Sequence, residues 1–426
     1  MTSRRRFLAG LASVGVAGLA GCSGLPFVEG DDEREYVELP RDAAGSIEWP
    51  DSPFPVAVPP TLADSHRERA ETLLASVPTD PSVPNGAIAE ELRTDRERTA
   101  ERLDEAADDP WPTDRLETWR GRRHEAATVL GAYRAATGED DAEEVETQRR
   151  SVRDAFGSLA ADHEYRASSP LEAVLAHEPI EALLADCRGR TRPNPAYPDD
   201  PVAHPFRAGD AVGRVELARA TLADAARVRS VYLTERDDPP SRWTALIDAS
   251  DRLGLAVSRA RSTVRDFLDV YEPPFEADLD GTPATALFRR ASGQVSASAD
   301  EYEERRDDGD YATAVIEAGQ ALAAVEALRA AIEGIRGDGY QDPVSVESVR
   351  ETADRARDAI DAIDESDDVR LAARLARPAL ETFEYLPEYI EDGYVDAARA
   401  QGDLAWAELY ARAVPPATAF VIERME

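Results

Sequence analysis

The clearest candidate for chemistry in this chain is a histidine and a glutamate one helical turn apart, His177 and Glu181. The sequence has only five histidines among its 426 residues, so a site that needs imidazole has few to choose from. A spacing of four residues places both side chains on one face of a helix. Pro179 lies between them and frees a backbone carbonyl oxygen, because proline has no N–H to donate. The pattern predicts a polar site or, equally well, a hydrogen bond on a helix surface.

The other histidines fit a metal or catalytic site less well. His124, His163 and His177 are each followed directly by glutamate, but adjacent residues on a helix point about 100° apart and cannot converge on one ion. The spacings Glu-x-x-His and His-x-x-Glu, which helical bundles use to bind iron, occur at none of the five histidines. His66 and His163 continue apolar stripes, so we expect both to face inward. We predict no metal site and no cofactor.

Catalytic sequence motifs are missing from this chain. It contains no Gly-rich phosphate loop, no Gly-x-Ser-x-Gly turn, no His-Glu-x-x-His and no Cys-x-x-Cys. One cysteine besides Cys22 is present, Cys187, and we expect it to be a small apolar residue near a helix end. These motifs therefore favour no enzyme class.

Aromatic residues crowd the C-terminal part of the chain. Four of them could line a groove between the last helices, where an extended or apolar ligand would fit: Tyr385, Tyr389, Trp406 and Tyr410. Packing in the core explains the same rings, because large side chains fill the space between kinked helices.

The elements that must position these residues are helices. From residue 62 onward apolar residues recur at steps of three and four, and acidic residues and arginine occupy the other faces. The fold class is therefore all-α: an antiparallel helical bundle or helical-hairpin stack, α-solenoid-like, of about a dozen helices. Two of the predicted helices span 141–166 and 240–271. Prolines inside predicted helices should kink or split them, namely Pro179, Pro378, Pro387, Pro415 and Pro416.

Changes in composition predict the domain boundaries. Residues 22–61 are rich in proline and acid and read as a tether. The longest polar break, 189–208, holds five prolines and reads as a linker. It would separate an N-terminal helical domain, 62–188, from a C-terminal helical domain, 209–426.

The N-terminus has the parts of an export signal. Three arginines, a short apolar run and small residues precede Cys22. Ser3 to Leu8 resembles the core of a twin-arginine signal, with Arg4, Arg5 and Phe7 in its motif positions, and the residues that end at Cys22 resemble a lipobox. The resemblance implies a signal peptide over 1–21 and lipidation of Cys22, hence a location on the extracellular face of the cell membrane.

Charge excludes one class of partner. The chain carries 85 acidic and 49 basic residues, all of the latter arginine, for a net charge of −36. Such a surface repels phosphates, so we expect no nucleic-acid partner. Together with the signal, this composition resembles that of haloarchaeal surface proteins. At molar salt the Debye length is about 3 Å, and neighbouring carboxylates hardly repel each other.

The sequence favours a lipid-anchored surface protein with a non-enzymatic binding or scaffold role. Its partners would be membrane lipid through Cys22 and an envelope protein. Two other classes stay open. One is solute capture for a transporter, although such receptors usually contain strands. The other is a helical-fold hydrolase that uses His177 and Glu181.

Overall fold

The chain is built from α-helices, and the part of it that the structure describes contains no β-sheet. The computed structural model describes residues 37–268 and 274–426. Its twelve α-helices are α1 (Pro60–Ala75), α2 (Gly86–Asp104), α3 (Pro112–Ala136), α4 (Ala142–Ala161), α5 (Pro170–Arg190), α6 (Pro205–Thr234), α7 (Trp243–Thr263), α8 (Pro283–Asp308), α9 (Tyr311–Arg336), α10 (Val346–Asp361), α11 (Val369–Glu391) and α12 (Ala397–Met425). The predicted all-α helical bundle is confirmed. Among the described helices, none has an apolar run long enough to cross a membrane.

The helices begin and end at residues that satisfy backbone groups. Proline lies in the first turn of α1, α3, α5, α6 and α8, where its missing N–H would have no helical partner. Asn85, Ser169, Asp368 and Asp396 each accept a hydrogen bond from a first-turn N–H of the helix that follows. Gly309 ends α8 with a φ of 84°, a conformation that glycine adopts without a Cβ clash.

The two largest apolar cores lie on either side of α5. The larger core gathers α7 to α12, and α9 is buried around most of its circumference. The smaller core gathers α1, α3 and α6. Val174 and Leu175 of α5 pack in the larger core, whereas Ile180 and Leu184 pack in the smaller one. A polar side chain at the middle of α5 is therefore held between two groups of helices.

Prolines do not split the helices in which they lie. Pro179 is inside a continuous α5, Pro378 and Pro387 are inside α11, and Pro415 and Pro416 are inside α12. The expected interruption is therefore absent at these five positions. Proline in a helix interior costs about 3 kcal/mol or more, and the apolar residues buried on both sides of each proline offset this cost.

Residues 37–59 differ from the tether expected at 22–61. Ala43 packs in the larger core and Phe54 in the smaller one. The Trp111 indole N–H donates to the Pro50 carbonyl oxygen at 2.9 Å. The few apolar residues of this stretch thus bind it to the helices. The signal at 1–21 and the tether residues up to 36 lie outside the described residues.

The stretch 189–208 also differs from the linker expected there, because α6 begins inside it at Pro205. Helix α6 packs against α3 in the smaller core. The predicted C-terminal domain begins at 209, inside α6, but all of α6 belongs with α1 to α5. The chain passes from the smaller core to the larger one after α6, between Thr234 and Trp243.

Glycine allows α6 to approach α3 closely. A Cβ on Gly209 would lie 2.4 Å from the Thr128 carbonyl oxygen, and a Cβ on Gly213 would lie 2.1 Å from Thr128 Oγ1. Real Cβ atoms do not come this close, so larger residues at these positions would push the two helices apart.

Candidate functional site

His177 and Glu181 lie inside the protein on α5. Their exposed fractions are 0% and 1%. The two side chains do not hydrogen-bond to each other, and each has partners elsewhere. Tyr165 contacts both: its ring packs edge-on to His177 at 5.5 Å between centroids, and its hydroxyl binds Glu181. The structure thus brings the predicted pair together through a third residue.

Glu181 binds the first turn of α9. Its Oε2 accepts hydrogen bonds from the Thr313 backbone N–H and from Thr313 Oγ1, both at 2.7 Å, and its Oε1 accepts from the Ala312 N–H at 3.1 Å. The first N–H groups of a helix have no partner within it. A side chain from a different helix therefore caps α9, and it joins the two groups of helices.

Burial raises the pKa of Glu181 to about 8, against the hydrogen bonds from Tyr165 and Thr313 that lower it. The carboxylate of Asp310 raises this pKa further.

Tyr165 is positioned by the segment that connects α4 to α5. Helix α4 ends at Ala161, five residues before the end predicted at 166. The connecting segment pairs with the chain that follows α6: the Ala167 N–H donates to the Pro240 carbonyl oxygen at 3.1 Å, and the Arg242 N–H donates to that of Tyr165 at 2.7 Å. These bonds orient the Tyr165 ring toward α5 and α9.

His177 is held as a neutral imidazole. Its Nε2 lies 3.1 Å from the Arg166 carbonyl oxygen, which can only accept, so Nε2 carries the proton. Burial lowers the pKa of His177 to about 4. Burial also lowers the pKa of His163 to about 3, and His177 and Arg229 add to this shift. His163 is half-buried, beyond the end of α4, and its ring centroid lies 5.0 Å from that of His177.

This arrangement is suited to joining helices and poorly suited to catalysis. A general base needs access to a substrate proton, and Glu181 has its oxygens bonded within the core. In the described parts of the chain, no three or more His, Cys, Asp or Glu side chains are grouped to hold a metal ion.

The C-terminal aromatic residues belong mainly to the core. Trp406 and Tyr410 have no exposed surface, and the Tyr410 hydroxyl donates to the Leu375 carbonyl oxygen at 3.2 Å. Tyr385 and Tyr389 are half-buried and pack against the same core. The four residues predicted to line a groove therefore do not share an open surface.

A buried ion cluster links α1, α3 and α6. Asp224 accepts hydrogen bonds from His66 Nε2 at 2.9 Å and from Arg120 at 2.7 Å, and all three side chains are nearly inaccessible. Glu216, about two turns earlier on α6, binds Arg123 at 2.7 Å. His66 lies inward as its apolar stripe predicts. Nothing in the sequence distinguishes Asp224 from the other acidic residues.

A second buried ion pair joins α5 to α11. Glu178, next to His177, binds Arg374 at 2.6 Å. Burial alone would raise the pKa of Glu178, but Arg374 lowers it overall. Glu317 on α9 forms no such ion pair with the described residues, and burial raises its pKa to about 7. Charged groups are thus part of the interface between the helix groups.

Two open surface cavities lie away from the His177 region. One, of about 370 Å³, lies between α7 and α8 beside Arg261 and Tyr302. The other, of about 410 Å³, lies beside Trp49 and Phe383. Cys187 is buried, and burial raises the pKa of its thiol to about 12. The predicted lipid acceptor Cys22 and the signal residues Arg4, Arg5 and Phe7 lie outside the described residues.

Comparison with known families divides the chain into two parts. Residues 61–238 match a family described as "Domain of unknown function (DUF8262)", and residues 243–423 match one described as "Domain of unknown function (DUF8264)". No curated protein and no solved structure matches the chain. The matches meet at 239–242, where the chain passes from the smaller core to the larger one.

Proposed function

We propose that this chain is a lipid-anchored cell-surface protein that binds or organises an envelope protein and has no catalytic role of its own. The observation that carries the proposal is the position of the Glu181 carboxylate inside the core. The acidic residue most suggestive of chemistry caps α9 from inside the core, with each oxygen engaged by α9 or Tyr165. His177 beside it is neutral and buried.

The helical body supports a binding role. Helices α3 and α6, and α8 and α9, pack along each other, and buried ion pairs join α3 to α6 and α5 to α11. A rigid body of this kind can present a surface to a partner with little ordering cost. Anchoring by Cys22 would hold that surface at the membrane.

Fractionation of cells that express matched cysteine variants tests the anchor. Cys22→Ala should release the protein from the membrane fraction, while Cys187→Ala should leave it there, since Cys187 is buried in the helical body. Lysine at Arg4 and Arg5 should block export, whereas Arg6→Lys, at the variable position of the motif, should not. Release by neither cysteine variant would contradict the anchor.

The binding role is tested on membranes solubilised in mild detergent. We expect the lipidated chain to migrate well above the mass of a single chain, together with a second protein that crosslinks to it in intact cells. Saturable thermal stabilisation by a metabolite would favour solute capture instead. Hydrolysis of an ester or peptide substrate that is lost in Glu181→Gln would favour a hydrolase, and either result would contradict the proposal.

A further inference from the structure

Tyr165 has one hydroxyl proton and two acceptors for it. Its oxygen Oη contacts Glu181 Oε1 and lies 2.9 Å from the Gly309 carbonyl oxygen. The Tyr311 backbone N–H already donates to Oη at 3.1 Å. A carbonyl and an ionised carboxylate can only accept. With Glu181 ionised, one of the two acceptors is therefore left without a proton.

A proton on Glu181 would complete this set of bonds. Protonated Oε1 donates to Tyr165 Oη, which is then free to donate its own proton to Gly309. The Thr313 N–H and hydroxyl still donate to Oε2. All polar contacts of the cluster are then hydrogen bonds, which matters because an unsatisfied buried acceptor costs about 1–3 kcal/mol.

The geometry points to Glu181 as a proton-operated latch between the two groups of helices. The protonated carboxyl joins α5, through Tyr165, to the turn between α8 and α9. When the proton leaves, Gly309 loses its donor and a negative charge remains between the two cores. The latch then weakens. This inference is independent of the proposed function.

Among the described residues, no cation neutralises the Glu181 carboxylate directly. The titratable groups that face it are Tyr165 on the connecting segment, His177 one turn earlier on α5, and Asp310 before α9. The nearby cations are engaged by other acids: Arg188 and Arg305 act on Asp310, and Arg374 of α11 binds Glu178. Burial therefore favours the neutral carboxyl, and its pKa is raised to about 8.

The latch lies where the two family matches meet. Tyr165 sits in the connecting segment that pairs with 239–242, and its side chain reaches the α8–α9 turn on the other side. Tyr165 thus contacts the junction of the chain through its backbone and the interface of the helix groups through its side chain.

Urea unfolding of wild type and Glu181→Gln from pH 5 to pH 9, at fixed molar salt, tests the latch. Glutamine is neutral at every pH and its Nε2 can donate to Tyr165, as the protonated acid does. Nε2 cannot accept from the Ala312 N–H, but this loss does not change with pH. The pKa of Glu181 is higher in the folded protein than in the unfolded one, and this sets the sign of the pH dependence. The stabilisation by the protonated carboxyl is fully present below the unfolded pKa and is lost as pH rises toward about 8. We expect the unfolding constant of wild type, divided by that of Glu181→Gln, to rise up to about tenfold per pH unit across this interval.

Two controls isolate Glu181. Glu71→Gln, which removes an exposed partner of Arg67, is the matched control for replacing a surface acid by its amide. Repeating the comparison in a Glu317→Gln background removes a second acid whose pKa is raised into this range, to about 7. A Glu181→Gln ratio that is constant from pH 5 to pH 9 would overturn the inference, because it means that the folded carboxyl is already ionised.

Infrared spectroscopy can still overturn the inference if Glu181→Gln does not fold. In the Glu317→Gln protein at pH 7, we expect a carboxylic acid C=O band that disappears by pH 10. Its absence at pH 7 would overturn the latch. Where Glu181→Gln folds, loss of the band in that variant assigns it.

Discussion

Removal of the Asp224 carboxylate should destabilise the fold strongly. Asp224 accepts hydrogen bonds from two cationic or ionisable partners, His66 and Arg120, and its residue exposes only 3% of its surface. In Asp224→Ala the Arg120 guanidinium stays buried with no acid beside it. Hydrogen bonds to charged groups contribute about 1.5–3 kcal/mol each, and breaking a buried ion pair from one side costs about 3–5 kcal/mol. We expect a loss of about 3–5 kcal/mol.

Urea unfolding followed by circular dichroism at molar salt measures this loss. Glu71→Ala is the matched control, because it breaks the exposed Arg67–Glu71 pair on α1 and should cost about 0.5 kcal/mol or less. Asp224→Asn, which keeps the volume and one acceptor oxygen, should fall between the two. A cost for Asp224→Ala no larger than that of the control would refute the reasoning, since it would mean that water already satisfies Arg120.

Three further predictions concern packing and charge. Gly209→Ala should cost about 1–3 kcal/mol of unfolding free energy, because the new Cβ would meet the Thr128 carbonyl oxygen. Its control is Gly157→Ala on α4, which has open space around the new Cβ and should be neutral or gain about 0.5–1 kcal/mol. Equal effects of the two variants would contradict the close approach of α3 and α6. Trp406→Phe should cost about 1–3 kcal/mol in the same assay because the ring is fully buried, and an unchanged stability would return Trp406 to a groove. The purified chain should lose helical circular dichroism below about 0.5 M salt, where its excess of negative charge is screened more weakly. A melting curve independent of salt would contradict this.

Helix positions are largely predictable from this sequence because apolar periodicity is a local signal. The pattern predicts helices over 310–336, 367–391 and 394–424, which lie close to α9, α11 and α12. It fails where a helix ends early. Helix α7 ends at Thr263, short of the predicted 271, and a 3₁₀ turn, Arg265–Phe267, follows.

The buried joint is not predictable in the same way, because it depends on contacts between distant parts of the chain. The apolar stripe that ends at His163 predicts a helix to residue 166, which would have placed Tyr165 on a helix surface. Instead the chain leaves the helix at Ala161, since the backbone around Tyr165 pairs with 240–242. The partners Gly309 and Tyr311 lie more than a hundred residues away. The sequence points to Glu181 through its spacing from His177, but it does not indicate Tyr165.

Hydrogen exchange at the start of α9 tests most directly whether Glu181 is a buried joint. The amides of Ala312 and Thr313 donate to Glu181 in the core, so we expect them to exchange far more slowly than first-turn amides usually do. The start of α10 is the internal control, because its Ser348 amide donates to the exposed side chain of Ser345. Protection of the α9 amides well above that of Ser348 would support the joint. Equal, rapid exchange at both helix starts would contradict it and would restore Glu181 to an open site.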